Sequence, residues 1–82
     1  MLDLKIVSPE RIEFEGEVES VVVPGTLGQF EILVNHAPII SSLEKGTVIY
    51  TTPTGEKNLL EIAGGFVEVQ KNVVSLCVEI NS

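Results

Sequence analysis

The chain has 82 residues, enough for one domain and a core that buries about two-thirds of the surface the unfolded chain exposes. It carries 12 acidic side chains against 5 basic ones, a net charge of −7, and seven of the acids lie between Asp3 and Glu31. Such a surface repels phosphate backbones and anionic headgroups, so nucleic acid is excluded as a partner and membrane contact is expected only through other proteins.

Leu2, Leu4 and Ile6 alternate with Asp3 and Lys5, which predicts a half-buried strand. Ser8-Pro9-Glu10 turns the chain, and Arg11 to Glu15 alternates again, with Ile12 and Phe14 expected on one face. Gly16 is read as a bulge or turn, and Glu17 to Val23 as one strand that becomes more apolar toward its end. Pro24-Gly25 is expected to break that strand, since proline fixes φ and lacks an N–H.

Residues 23–38 hold two of the four prolines, two of the seven glycines and the single histidine. Gly28 reopens the backbone and Gln29 to Val34 resumes an extended pattern. Asn35 tolerates a left-handed conformation, and Pro38 keeps Ala37 extended. The expectation is a stiff loop between short strands, a surface made for recognition.

Ile39 to Glu44 holds at most one turn of helix, and Glu44-Lys45-Gly46 is a turn. Thr47 to Thr52 and Lys57 to Ala63 flank a hairpin signal at Pro53-Thr54-Gly55-Glu56. Gly64-Gly65 breaks or bulges the chain before another strand, Phe66 to Gln70. Lys71-Asn72 makes a tight turn into Val73 to Ile80, where Val74, Leu76, Val78 and Ile80 are the expected core face. No stretch keeps helical periodicity, so the fold class is an all-β sandwich or barrel of eight to ten short strands, one domain spanning 1–82.

No catalytic constellation emerges. His36 has no second histidine, and the single cysteine, Cys77, is far from it in sequence; His36 is read as bonded to its loop backbone or placed at an interface. Cys77 has no lysine or arginine within five residues to activate it and reads as a packed residue. Glu10, Glu13, Glu15, Glu17 and Glu19 form an alternating acidic row, read as a solvated face that discourages edge-to-edge pairing rather than a metal site. Gly25-Thr26-Leu27-Gly28 is too short for a phosphate-binding loop and lacks the lysine. Leu27 is a lone apolar residue at a loop tip, either harmless exposure or a contact. The residues therefore describe an acidic all-β binding or structural module without cofactor or metal, and a stand-alone β-sandwich that binds a peptide or small ligand is one form of it.

The stretch Val-Pro-Gly-Thr-Leu-Gly-Gln-Phe-Glu-Ile-Leu-Val-Asn-His-Ala-Pro resembles the loop of the epsilon subunit of F-type ATP synthases. Phe14-x-Gly16, Leu43-x-Lys45-Gly46, Gly64-Gly65-Phe66-Val67-Glu68-Val69 and Asn72-Val73 resemble further landmarks of that family in the same order. The resemblance implies a flattened ten-stranded β-sandwich, a non-catalytic rotor subunit of the F1 sector that docks the gamma subunit onto the c ring. It would couple proton flow to ATP synthesis at the cytoplasmic face of the bacterial inner membrane.

By the same resemblance, Thr26, Leu27, Gly28 and Gln29 face the c ring, and Ser8, His36 and Ser41 lie toward gamma. Glu31 stands where the family has glycine, and Val34-Asn35 replaces Pro-Gly. The sequence ends at Ser82, where most bacterial members continue into two C-terminal helices. The ending Glu79-Ile80-Asn81-Ser82 shows no helix start, and the expectation is a naturally short form without the helical hairpin.

Overall fold

The computed structural model describes residues 1–81, so Ser82 of the strand-like ending lies outside them. Eight strands follow one another: β1 (Leu2–Val7), β2 (Ile12–Val18), β3 (Ser20–Gly25), β4 (Gly28–Ile32), β5 (Ile39–Leu43), β6 (Gly46–Thr51), β7 (Lys57–Gln70) and β8 (Val73–Ile80). Valine and isoleucine supply most of the inward positions, as their stiff side chains favour extended backbone. The strand order is β2-β1-β8-β7-β5-β3-β4, with β6 between β3 and β7. Every pairing is antiparallel except β1 with β8.

β7 turns this sheet into a sandwich. Its first half pairs with β6, its second half pairs with β5, and β8 runs along its other side from Ile62 to Gln70. One layer is then β2-β1-β8-β7-β5 and the other β7-β6-β3-β4, folded over each other. Leu2, Leu4, Ile6, Val18, Val67, Val69, Val74 and Leu76 of the first layer meet Val21, Val23, Ile32, Val48 and Ile62, all essentially inaccessible to solvent. The overall extents, 29 × 24 × 18 Å, are those of a flattened body.

Gly64-Gly65 does not end a strand, so the two strands expected on either side of it are one, β7, and the total of eight falls within the eight to ten read from the residues. The ladder to β8 shifts between Ile62 and Gly64, leaving Ala63 as the bulged residue, and the chain bends there without losing its pairing. Gly65 has φ of 146°, and a Cβ on it would fall on the carbonyl oxygen of Cys77 and 2.8 Å from Val78 Cα, so only glycine brings β7 this close to β8.

Four other expectations are corrected. Ile39–Leu43 is a strand, because β7 offers it a full antiparallel ladder. Pro24 does not break β3: only its N–H is missing from the ladder, and its carbonyl accepts the Glu44 N–H at 2.9 Å. The chain bends at Glu19, so Glu17 to Val23 belongs to two strands. Gly16 is an ordinary ladder residue opposite Leu4, and the irregularity sits instead at Glu13.

Ile6 pairs with Phe14 and Val7 with Ile12, so Glu13 is an extra residue. It puts Ile12 and Phe14 on opposite faces rather than one. Phe14 packs on the core, its ring centroid 4.5 Å from that of Tyr50, while Ile12 is turned out to solvent.

Candidate recognition surfaces

The first surface is the tip of the β3–β4 hairpin. Gly25 pairs with Gly28, leaving Thr26-Leu27 as a two-residue turn, and Gly28 completes it with φ of 128°. The base is anchored to the neighbouring strand, since Thr26 N–H donates to the Ser42 carbonyl at 3.1 Å. Thr26, Leu27, Gly28 and Gln29 are all exposed, and the Leu27 side chain is fully so (104%). A stiff hairpin thus presents one apolar side chain with no intramolecular role.

The second surface was not legible in the sequence. Register places Ile12, Val7, Cys77, Phe66 and Ser42 side by side across β2, β1, β8, β7 and β5, all outward. Ile40, 73% exposed, stands on the same face two residues before Ser42, opposite Glu68. Ile12 and Phe66 are each about half exposed, and an apolar depression opens between Val7, Pro9, Phe66 and Cys77. Alternation along each strand predicts which residues point outward. The alignment of outward residues depends on which strands pair, and at Ile12 on the bulge. Cys77 therefore lies exposed in this row instead of packed inside.

Ser8 follows β1 at the rim of that depression, but its side chain is buried and occupied. Its Oγ donates to Glu13 Oε2 at 2.8 Å and accepts the Arg11 N–H at 3.3 Å. Arg11 Nε adds an ion pair to the same carboxylate oxygen at 3.2 Å. The Ser8 hydroxyl, then Arg11, hold the Glu13 carboxyl below the usual range, against an opposing push from desolvation. Glu13 is thus an exception to the solvated acidic row, whereas Glu15 and Glu17 stay exposed along the free edge of β2.

His36 lies in the loop 33–38, at the far end of β4 from Leu27, a strand about 17 Å long. Its Nδ1 is 2.7 Å from the Ala37 carbonyl oxygen, which can only accept, so Nδ1 carries a proton and donates. Its ring centroid is 6.4 Å from that of Phe30. Ser41 is half-buried in mid-β5 opposite Val67, and its Oγ donates to the Ser42 carbonyl at 3.3 Å. Thr26, Leu27, Gly28 and Gln29 form one patch, whereas Ser8 and His36 stand toward opposite ends of the sandwich with Ser41 between them. Among the described residues no group of three or more histidine, cysteine or acidic side chains converges as a metal site.

Comparison with known proteins agrees with this architecture. Residues 1–80 match the family described as ATP synthase, Delta/Epsilon chain, beta-sandwich domain. The ATP synthase epsilon chain of Leptospira interrogans is 45% identical over 76 residues, which is 92% of this chain but 58% of that protein. The epsilon chain of Chlorobaculum tepidum is 40% identical over 93% of this chain and 86% of its own length. A chain in the cryo-EM structure of the Euglena gracilis mitochondrial ATP synthase (OSCP/F1/c-ring) superposes with a TM-score of 0.89 at 22% identity, covering 94% of this chain and 49% of that one. This chain therefore spans little more than half of the Leptospira relative and most of the Chlorobaculum one. The family match and these identities together show that the chain belongs to the delta/epsilon β-sandwich family of ATP synthases.

Proposed function

We propose that residues 1–82 form one domain that acts as a non-catalytic central-stalk component of an F1Fo ATP synthase, docking the gamma subunit onto the c ring. In this role it couples ion flow to ATP synthesis at the cytoplasmic face of the bacterial membrane. The observation that supports this most is the pairing of two separate exposed apolar surfaces with membership of the delta/epsilon family. A coupling piece needs two docking sites, and the fold offers a sheet face and a hairpin tip.

The gamma subunit is assigned to the sheet face. Ile12, Val7, Cys77, Phe66 and Ile40 supply its apolar centre, which is the composition of a buried interface core. Ser8 lies at one end of this face, Ser41 on the strand that bounds it, and the His36 loop at the other end. Ser8 contributes by holding the Glu13 bulge, which keeps Ile12 outward. The c ring is assigned to the hairpin tip, with Leu27 as the apolar contact and Thr26, Gly28 and Gln29 around it.

Titration calorimetry of the chain against gamma from the same organism tests both assignments. The expected result is one-to-one binding, unchanged in Leu27→Asp and weakened at least about tenfold in Phe66→Asp, since a charge placed in an interface core is left unpaired. Leu27→Asp is expected to lower retention on c-ring-containing membranes instead. An absence of binding to a folded gamma subunit would overturn the gamma assignment, and loss of gamma affinity in Leu27→Asp would overturn the division of labour between the surfaces.

A further inference from the structure

Three non-glycine residues among those described have positive φ: Asn35 at 68°, Lys71 at 52° and Asn72 at 62°. Lys71-Asn72 is the two-residue turn between β7 and β8, with both residues left-handed, the geometry that suits a twisted hairpin. Asn35 sits in the loop that carries His36. The two asparagines, 37 residues apart, face each other: Asn72 Oδ1 accepts the Asn35 backbone N–H at 2.6 Å, and Asn72 Nδ2 donates to Asn35 Oδ1 at 3.3 Å. The Asn72 carbonyl also accepts the Asp3 N–H at 2.8 Å. One turn residue thus joins the β7–β8 turn, the start of β1 and the β4–β5 loop.

The other hydrogen bonds of the loop are internal. His36 N–H donates to the Leu33 carbonyl at 3.1 Å, and His36 Nδ1 to that of Ala37. Among the described residues, the Asn35–Asn72 pair is the hydrogen-bonded tie between loop 33–38 and the rest of the protein. An exposed six-residue loop with Leu33 and Val34 facing solvent has little packing to hold it.

We propose that Asn72 is a positioning residue: its side-chain amide clamps the β4–β5 loop through Asn35 and thereby fixes His36 in the geometry the partner meets. This rests on the gamma assignment above for its functional part, and not for its structural part. Glycine is the residue that a left-handed turn position accepts most readily, so Asn72→Gly keeps the turn while deleting the clamp. Asn72→Asp keeps an acceptor for the Asn35 N–H and removes the Nδ2 donor.

Amide hydrogen exchange and 15N heteronuclear NOEs on the full chain, alone, read the clamp. In Asn72→Gly, exchange of the Asn35 N–H is expected to accelerate at least tenfold and the NOEs of residues 34–37 to fall, with the β7–β8 amides unchanged. Asn72→Asp should stay near wild type at Asn35. Unchanged Asn35 exchange in Asn72→Gly would overturn the clamp.

Calorimetry against gamma then reads its consequence. Asn72→Gly should bind between about twofold and tenfold more weakly, the range one net hydrogen bond supports, and Asn72→Asp should bind more tightly than the glycine variant. Accelerated exchange with unchanged affinity would overturn the positioning role. Failure of the wild-type chain to bind gamma would fall on the proposed function and would leave the exchange result standing.

Discussion

Replacing Gly65 with alanine tests the claim that β7 folds one sheet into a sandwich at a point only glycine can occupy. Two costs add. The first is conformational: φ of 146° is a region that residues with a Cβ rarely adopt, worth about 1–3 kcal/mol. The second is steric. The new methyl would overlap the Cys77 carbonyl and lie 2.8 Å from Val78 Cα, backbone atoms of a paired strand that have no rotamer to relax into. The two strands must part locally, at the loss of one or two ladder hydrogen bonds of about 1 kcal/mol each.

Together these come to about 2–5 kcal/mol, a large share of the roughly 4–12 kcal/mol expected for a chain of this length. Gly28→Ala is the matched control, since φ there is 128° but no atom lies within 4 Å of the added Cβ. Urea unfolding followed by far-ultraviolet circular dichroism measures both. With a slope near 1 kcal/mol/M, Gly65→Ala should lower the midpoint by about 2–5 M or leave the chain unfolded in buffer, and Gly28→Ala, which bears only the conformational cost, by about 1–3 M. A Gly65→Ala protein as stable as the Gly28→Ala protein would show that the close approach of β7 to β8 is not what the glycine is for.

Adjacent residues on β1 should differ sharply in the same assay. Ile6, fully buried, should cost about 2–5 kcal/mol as alanine, whereas Val7, on the outer face, should cost under about 1 kcal/mol; equal losses would contradict the assigned faces. Acid should weaken the fold through Glu13. Its folded pKa lies below the ordinary 4.5 that applies when unfolded, so its contribution is complete above the ordinary value and is lost as the pH falls through the lowered one. Ser8→Ala removes the largest cause. The Glu13 carboxyl midpoint, followed by 13C NMR, should then rise and the acid limb of the stability curve should flatten; an unchanged midpoint would place the cause elsewhere.

How far the fold could be read from sequence depended on the range of the interaction. Strict alternation identified the inward faces of β1 and β8 correctly, because a strand's two faces are set locally with a period of two. The Pro53–Glu56 hairpin and the left-handed Lys71-Asn72 turn were likewise legible, since turn chemistry is local. Ile39–Leu43 was not, because Ile-Ile-Ser-Ser-Leu has no strong period and becomes a strand only when β7 pairs with it. The parallel contact of β1 with β8 joins residues about 70 positions apart and leaves no local trace. Of the site, the hairpin tip was visible as a lone leucine between turn residues. The row from Ile12 to Phe66 was invisible, because its members come from four strands and meet only through register.

The bulge at Glu13 shows how one inserted residue creates a surface. Strand pairing has a period of two, so a single extra residue turns everything beyond it to the other face. Without the bulge, Ile12 would share the inward face with Phe14, and the row across the sheet would end at Val7. The chain stabilises the irregularity with a side-chain knot: Ser8, at the end of the facing strand, bonds Glu13, and Arg11 closes it from the turn. A buried serine and a carboxylate held below its usual pKa are thus the polar support for an exposed apolar residue on the opposite side of the strand. The polar pair is legible as chemistry and the apolar residue as a surface, but only the register of β1 against β2 shows that one produces the other.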